Sequence, residues 1–160
     1  MKQLFTSIVV AINGSEASIG AFQYALALRK QFGSKVTACY IVDTATIRQL
    51  ALSRIFVPDE SQEYEDSLEV SGKRYLSFCV ELAARKRLTI ETVLGKGSVP
   101  GEIVKTAADL GADCIVLGGQ PSEHQYKDVV FEANREILKH ARCPVVFVKP
   151  GMGEDLYRSL

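Results

Sequence analysis

Net charge is what this 160-residue chain most plainly lacks: 19 Lys and Arg stand against 19 Asp and Glu, and the formal charge is zero. A molecule with no field of its own has no long-range attraction for polyanions, which argues against nucleic acid or an anionic membrane surface as a partner. Long apolar runs are missing too. No stretch approaches the roughly 18 residues of a spanning helix, and Met1-Lys2-Gln3-Leu4-Phe5 leads into a strand pattern instead of the apolar segment of a secretory signal. A cytoplasmic protein without membrane insertion is expected. Cysteine is scarce and scattered: Cys39, Cys79, Cys114 and Cys143 form no C-x-x-C pair, and three lie in or beside apolar runs. They read as buried, reduced thiols. There is no G-x-S-x-G elbow, P-loop, G-x-G-x-x-G or metal-spaced His/Cys cluster, so neither an enzyme nor a metal site is expected.

What is present is an alternation of strand and helix patterns. Residues 4–12 end in a continuous apolar stretch, as a strand covered on both faces requires. Asn13-Gly14-Ser15-Glu16 then supplies turn and N-cap chemistry. A helix follows with Ala21, Ala25, Leu28 and Phe32 on one face, closed by Gly33 as C-cap. Residues 36–42 read as the second strand. Residues 43–62 are too apolar for a solvated loop and are read as a short helix and a lid packed over the domain, ended by Pro58. A long helix is expected from 61 to 87, with Leu68, Gly72, Tyr75, Cys79 and Leu82 inward. A third strand over 88–94 precedes a helix that begins at Pro100 and carries Ile103, Val104, Ala107 and Leu110. Then come strand 114–117, a last helix, and a final apolar strand at 145–148.

With no repeat or linker, residues 1–150 form one domain and 151–160 a tail. The βαβαβαβαβ order implies right-handed crossovers. The expected fold class is α/β, an open five-stranded parallel sheet in the order 3-2-1-4-5 with helices on both faces, Rossmann-like. Its switch point lies between the first and fourth strands, so Asn13-Gly14-Ser15 and Gly118-Gly119 flank one crevice.

Gly118 and Gly119 stand where a phosphate could approach backbone amides. At this point the universal stress protein family places G-x2-G-x9-G-[ST], and residues 4–149 resemble that family. The likeness is carried by Ile8-Val9-Val10-Ala11-Ile12-Asn13-Gly14-Ser15 and by the closing Ile137-Leu138-Lys139-His140-Ala141-Arg142-Cys143-Pro144-Val145-Val146. The signature itself has decayed: Gly118 is kept, the second glycine is Pro121, and the last pair is Phe131-Glu132. Asn13 stands where most members carry Asp. The resemblance implies an adenine and ribose slot around Ala11, Asn13, Val42, Leu117 and Gly118, with His124 in the loop beside it. It does not imply a triphosphate grip here, because Pro121 lacks an N–H, Phe131 is bulky and Glu132 is negative. Lys96, Lys127, Arg135 and Lys139 read as solvated charges, with Glu132–Arg135 and Glu136–His140 pairs at helical spacing. His140 suits the C-terminal end of the last helix dipole.

The run Val145-Val146-Phe147-Val148-Lys149 would be an apolar edge strand, which invites pairing with another chain. The resemblance implies a two-fold homodimer through it. The expectation is therefore a dimeric, non-enzymatic regulatory or protective stress-response protein with an unidentified protein partner, without standard ATP binding and without a resident cofactor. The alternative is an adenine-nucleotide sensor that binds ATP or AMP through Asn13, Val42 and Gly118, with His124 and nearby cations in place of the lost glycines. Whether the tail crosses to a partner or is disordered stays open.

Overall fold

The computed structural model describes residues 1–119 and 129–160. Five parallel strands lie in the order β3-β2-β1-β4-β5. They are β1 (Ser7–Ile12), β2 (Lys35–Asp43), β3 (Glu91–Gly97), β4 (Cys114–Gly118) and β5 (Val145–Val148). The central strand β1 pairs with β2 on one side and β4 on the other. The helices are α1 (Glu16–Phe32), α2 (Thr44–Leu52), α3 (Pro58–Arg85), α4 (Val99–Asp109), α5 (Val129–His140) and α6 (Met152–Ser159). None among the described residues is long and apolar enough to cross a membrane.

Strand parity divides the core. Ile8, Val10 and Ile12 of β1, with Val36, Ala38, Tyr40 and Val42 of β2, face α1 and α3. Val9, Cys39, Ile41, Ile115 and Leu117 face the other way, against Ile103 and Ala107 of α4 and Ile137 of α5. Both faces are covered, which is why these strands are apolar almost without alternation.

Local chemistry sets both ends of α1. Ser15 Oγ accepts from the Ser18 amide at 3.1 Å to cap α1, and Gly33, at φ 70°, closes it by donating to the Arg29 carbonyl at 2.9 Å. Of the expected inward face of α1, Ala21, Ala25 and Leu28 are buried, whereas Phe32 is exposed and lies against Phe5.

Several boundaries differ from the sequence expectation, among them that of β1, which begins at Ser7 and not at residue 4. Pro58 begins α3 instead of preceding it, because proline at the first helical position forfeits an N–H that has no partner there anyway. The third strand is displaced to Glu91–Gly97: its pairing with β2 runs from Thr37↔Glu91 to Asp43↔Gly97, while Leu88 and Ile90 pack on the core from the turn before it. The apolar segment from the end of α2 onward is not a packed lid, since Leu52, Ile55 and Val57 are exposed.

The tail is a helix on its own chain's body. Gly153 of α6 meets Gly20 of α1 so closely that a Cβ at 153 would lie 1.8 Å from the Gly20 carbonyl oxygen. Tyr157 donates to the Leu82 carbonyl at 2.8 Å and carries Lys86 Nζ 4.8 Å above its ring.

Candidate functional site

A cavity of about 320 Å³ opens at the carboxyl ends of β1 and β2 on the α4 and α5 side of the sheet. Ala11, Ile12 and Asn13 close its inner end, α2 supplies a wall through Ala45, Thr46 and Gln49, and α4 and α5 form the rest. Its floor is apolar, built from Ile41, Val99, Ile103 and Ile137. An open α/β sheet offers its ligand crevice at such a place, beside the switch in strand order.

The expected slot residues are divided by strand parity. Ala11 and Asn13 line the cavity. Asn13 Oδ1 accepts from the Ser15 amide at 3.0 Å and from the Ser15 hydroxyl, so its NH2 is the end left for a ligand. Leu117 is fully buried in the layer beneath, with Ile41 and Ile103. Val42 is also fully buried but on the opposite face, in the core with Leu76 and Cys79; its neighbours Ile41 and Asp43 line the cavity. Gly118 is buried with its Cα against α1: a Cβ there would lie 1.9 Å from the Ala17 carbonyl oxygen. His124 lies outside the described residues, as do Pro121 and Lys127. Phe131 and Glu132, at the last two signature positions, fall in the first turns of α5.

Asp43, Thr46, Gln49 and Asn134 are cavity residues with no sequence motif to mark them. Asp43 carried one local signal, its cap position: Oδ1 accepts from the Thr46 amide at 3.1 Å and Oδ2 from the Thr46 hydroxyl at 2.7 Å. Asn134 lacks even that. Its Nδ2 donates to the Gly118 carbonyl at 3.1 Å, across 16 residues of chain.

The charged lining is of one sign. Asp43, Glu132 and Glu136 contribute carboxylates, and no Lys, Arg or His is among the described lining residues. Arg135 lies 4.0 Å from Glu132 and His140 lies 3.3 Å from Glu136, both as helical neighbours. Lys96 sits within β3, where Nζ reaches Glu69 at 3.0 Å and Glu65 at 3.3 Å on α3. The hydrogen bond to Glu69, and then that to Glu65, hold its ammonium above the ordinary lysine value. That cation is directed to α3, not to the cavity.

The Ser15 hydroxyl and three of the thiols are muted as nucleophiles. Ser15 is occupied as helix cap and donor to Asn13. Burial pushes the Cys39 and Cys114 thiols up to about 11 and that of Cys79 up to about 12, far from the thiolate form. Among the described residues no group of three or more His, Cys, Asp or Glu could hold a metal ion.

Comparison with known proteins gives one family. The model of the universal stress protein family matches residues 4–149. A universal stress protein of Methanocaldococcus jannaschii is 27% identical over 150 residues, covering 92% of this chain and 84% of that protein. Among solved structures, a universal stress protein of Lactobacillus plantarum superposes with a TM-score of 0.73 at 20% identity, over 92% of this chain and 99% of that one. One from Arabidopsis thaliana with AMP bound has a TM-score of 0.65 at 20% identity, over 93% and 94%. The two structures establish likeness of fold.

Proposed function

The chain belongs to the universal stress protein family, and from that premise we propose that it is a dimeric, non-enzymatic stress-response protein of the cytoplasm that acts by binding a partner protein and does not hold ATP in the family's standard way. One observation carries this reading: the described lining of the crevice where a nucleotide would lie includes Asp43, Glu132 and Glu136 and no Lys, Arg or His, Arg135 and His140 reaching Glu132 and Glu136 only as helical neighbours. Each carboxylate a few ångströms from a phosphate charge opposes it by about 1–4 kcal/mol, depending on how much water intervenes. The sequence adds Pro121, which has no N–H to offer an anion.

The non-enzymatic part is supported by the occupied Ser15 hydroxyl and by thiols held protonated through burial. The dimer is supported by β5, which stands at the edge of the sheet with Phe147 exposed. Four free cysteines, three of them buried, accord with a cytoplasmic setting.

A thermal melt with and without ATP and Mg²⁺ tests the reading. Saturation at a hundred times a dissociation constant would add about 2.7 kcal/mol, whereas an unchanged melting temperature is expected here. A clear rise would overturn it.

The second reading, an adenine-nucleotide sensor binding ATP or AMP, is favoured by the AMP bound to the similar Arabidopsis protein. In that reading Asn13 offers its NH2, and the apolar floor takes the base.

A further inference from the structure

The corner between α2 and α3 holds its apolar side chains outward. Leu52, Ile55 and Val57 are 78%, 63% and 55% exposed within one short stretch of chain, whereas exposed apolar residues are ordinarily scattered singly. Hydrogen bonds fix the corner in this form. Arg54, at φ 57°, turns the chain at the end of α2; its N–H donates to the Ala51 carbonyl at 3.1 Å and that of Ile55 to the Leu50 carbonyl at 2.9 Å, the paired bonds that close a helix. The Val57 N–H then donates to Glu60 Oε2 at 3.4 Å, and its carbonyl accepts from the Ser61 amide at 3.0 Å to start α3. Phe56 packs on Tyr64, with ring centroids 5.5 Å apart. A knob held in this way loses little freedom when a partner covers it.

Charge decides what kind of partner fits. Residues 58–69 hold Asp59, Glu60, Glu63, Glu65, Asp66 and Glu69 and no Lys or Arg, and only Arg48 and Arg54 stand against them between 44 and 72. Lys96 and Lys73 pair with Glu65 and Glu69. Asp59, Glu60, Glu63 and Asp66 are exposed and form no ion pair among the described residues, which leaves a negative rim beside the knob. α3 packs on β2 and β3 and α2 lies beside β3, at the opposite side of the sheet from β5. A partner seated here leaves the β5 edge open.

We propose that this corner docks a basic amphipathic segment of another protein, with Leu52, Ile55 and Val57 meeting its apolar residues and Asp59, Glu60, Glu63 and Asp66 its Lys or Arg side chains. This rests on the partner-binding reading and adds to it the surface used and the chemistry of what it takes. The apolar knob supplies the hold, and the rim selects the sign of the partner's charge in a way that salt screens.

Fluorescence anisotropy of the full chain with two labelled peptides is the test, one built of Leu and Lys at helical spacing and the other of Leu and Glu in the same pattern. The Leu/Lys peptide is expected to bind about tenfold more tightly at low salt. L52S/I55S is expected to weaken it by about fivefold, and D59N/E63Q to weaken it and flatten its salt dependence. Val80→Ser, which removes an exposed apolar side chain at the far end of α3, is expected to leave it unchanged. Equal affinity for the two peptides, or binding indifferent to both corner variants, would overturn the proposal. So would a fall in the sedimenting mass of the chain in L52S/I55S, which makes a second copy the occupant. Absence of binding by the Leu/Lys peptide overturns it as well, yet leaves the partner-binding reading in place, since that reading fails on ATP binding, which the peptide titration does not measure.

Discussion

The Asn134 side-chain amide donates to the main-chain carbonyl of Gly118 across 3.1 Å, tying α5 to the end of β4 beside the crevice. Asn134 is only 9% exposed, so the Gly118 carbonyl has little water to replace it.

Asn134→Ala is therefore expected to cost about 1–3 kcal/mol, the range for leaving a buried acceptor unpaired. Gly118→Ala should cost more, because its Cβ would strike the main chain of Ala17 at 1.9 Å and a helix cannot yield as a side-chain tip can. Urea denaturation reads both. Equal midpoints for the two variants would refute the ranking.

Asp113 fastens the start of β1. Its carboxylate accepts from the Thr6 amide and hydroxyl at 2.9 Å each and from the Ser7 amide at 3.1 Å. Burial acts to raise its pKa, but these donors together outweigh that and hold it below the ordinary aspartate value. A depressed folded pKa means the contribution is fully present above the unfolded value, about 3.9, and disappears as pH falls through the folded one. Asp113→Asn should lower stability at pH 7 by on the order of 1 kcal/mol, the partly exposed site limiting the effect. The difference from the parent should shrink below pH 3. Denaturation midpoints at the two pH values check it, and a gap independent of pH would exclude the carboxylate charge as the cause.

The free edge of β5 can be removed without cutting the sheet. Ile115 N–H donates to the Pro144 carbonyl and Gly119 N–H to the Val148 carbonyl, so the even-numbered residues of β5 face β4. By the parallel ladder, the main-chain groups of Val145 and Phe147 face outward. Phe147→Pro takes away an outward N–H at a residue that is 42% exposed. The expected result in sedimentation is a monomer, with a far-ultraviolet spectrum like the parent's. A dimer that survives the change places the interface elsewhere.

Much of the fold was legible because its determinants are local. The apolar Ile8-Val9-Val10 and Cys114-Ile115-Val116-Leu117 mark strands covered on both faces, and both are fully buried. Ser15 and Gly33 act within one turn of their own helix, so their roles as caps followed from residue type. The strand order followed from chain order and the handedness of the crossovers. The site was legible only in part. Its position could be read from the switch point, but of the named residues Ala11 and Asn13 line the cavity while Val42 faces away from it.

By itself, then, the sequence determined the α/β class, the 3-2-1-4-5 order, the caps of α1 and the decay of the phosphate signature, all of which depend on residue type and short spacing. Tertiary structure decided the rest. The bounds of β3 came from register with β2, since Gly95-Lys96-Gly97 pairs as strand although its composition is that of a turn. The tail helix docked on α1 because Gly153, which has no Cβ, lets its backbone lie against the carbonyl of Gly20, 133 positions earlier. The acidic lining arose because Asp43, Glu132 and Glu136 converge from β2 and α5, and a convergence across almost 90 residues leaves no trace in local pattern. Strand parity, set by which face each neighbouring helix covers, is the physical reason one residue of a pair such as Ile41 and Val42 meets the cavity and the other the core.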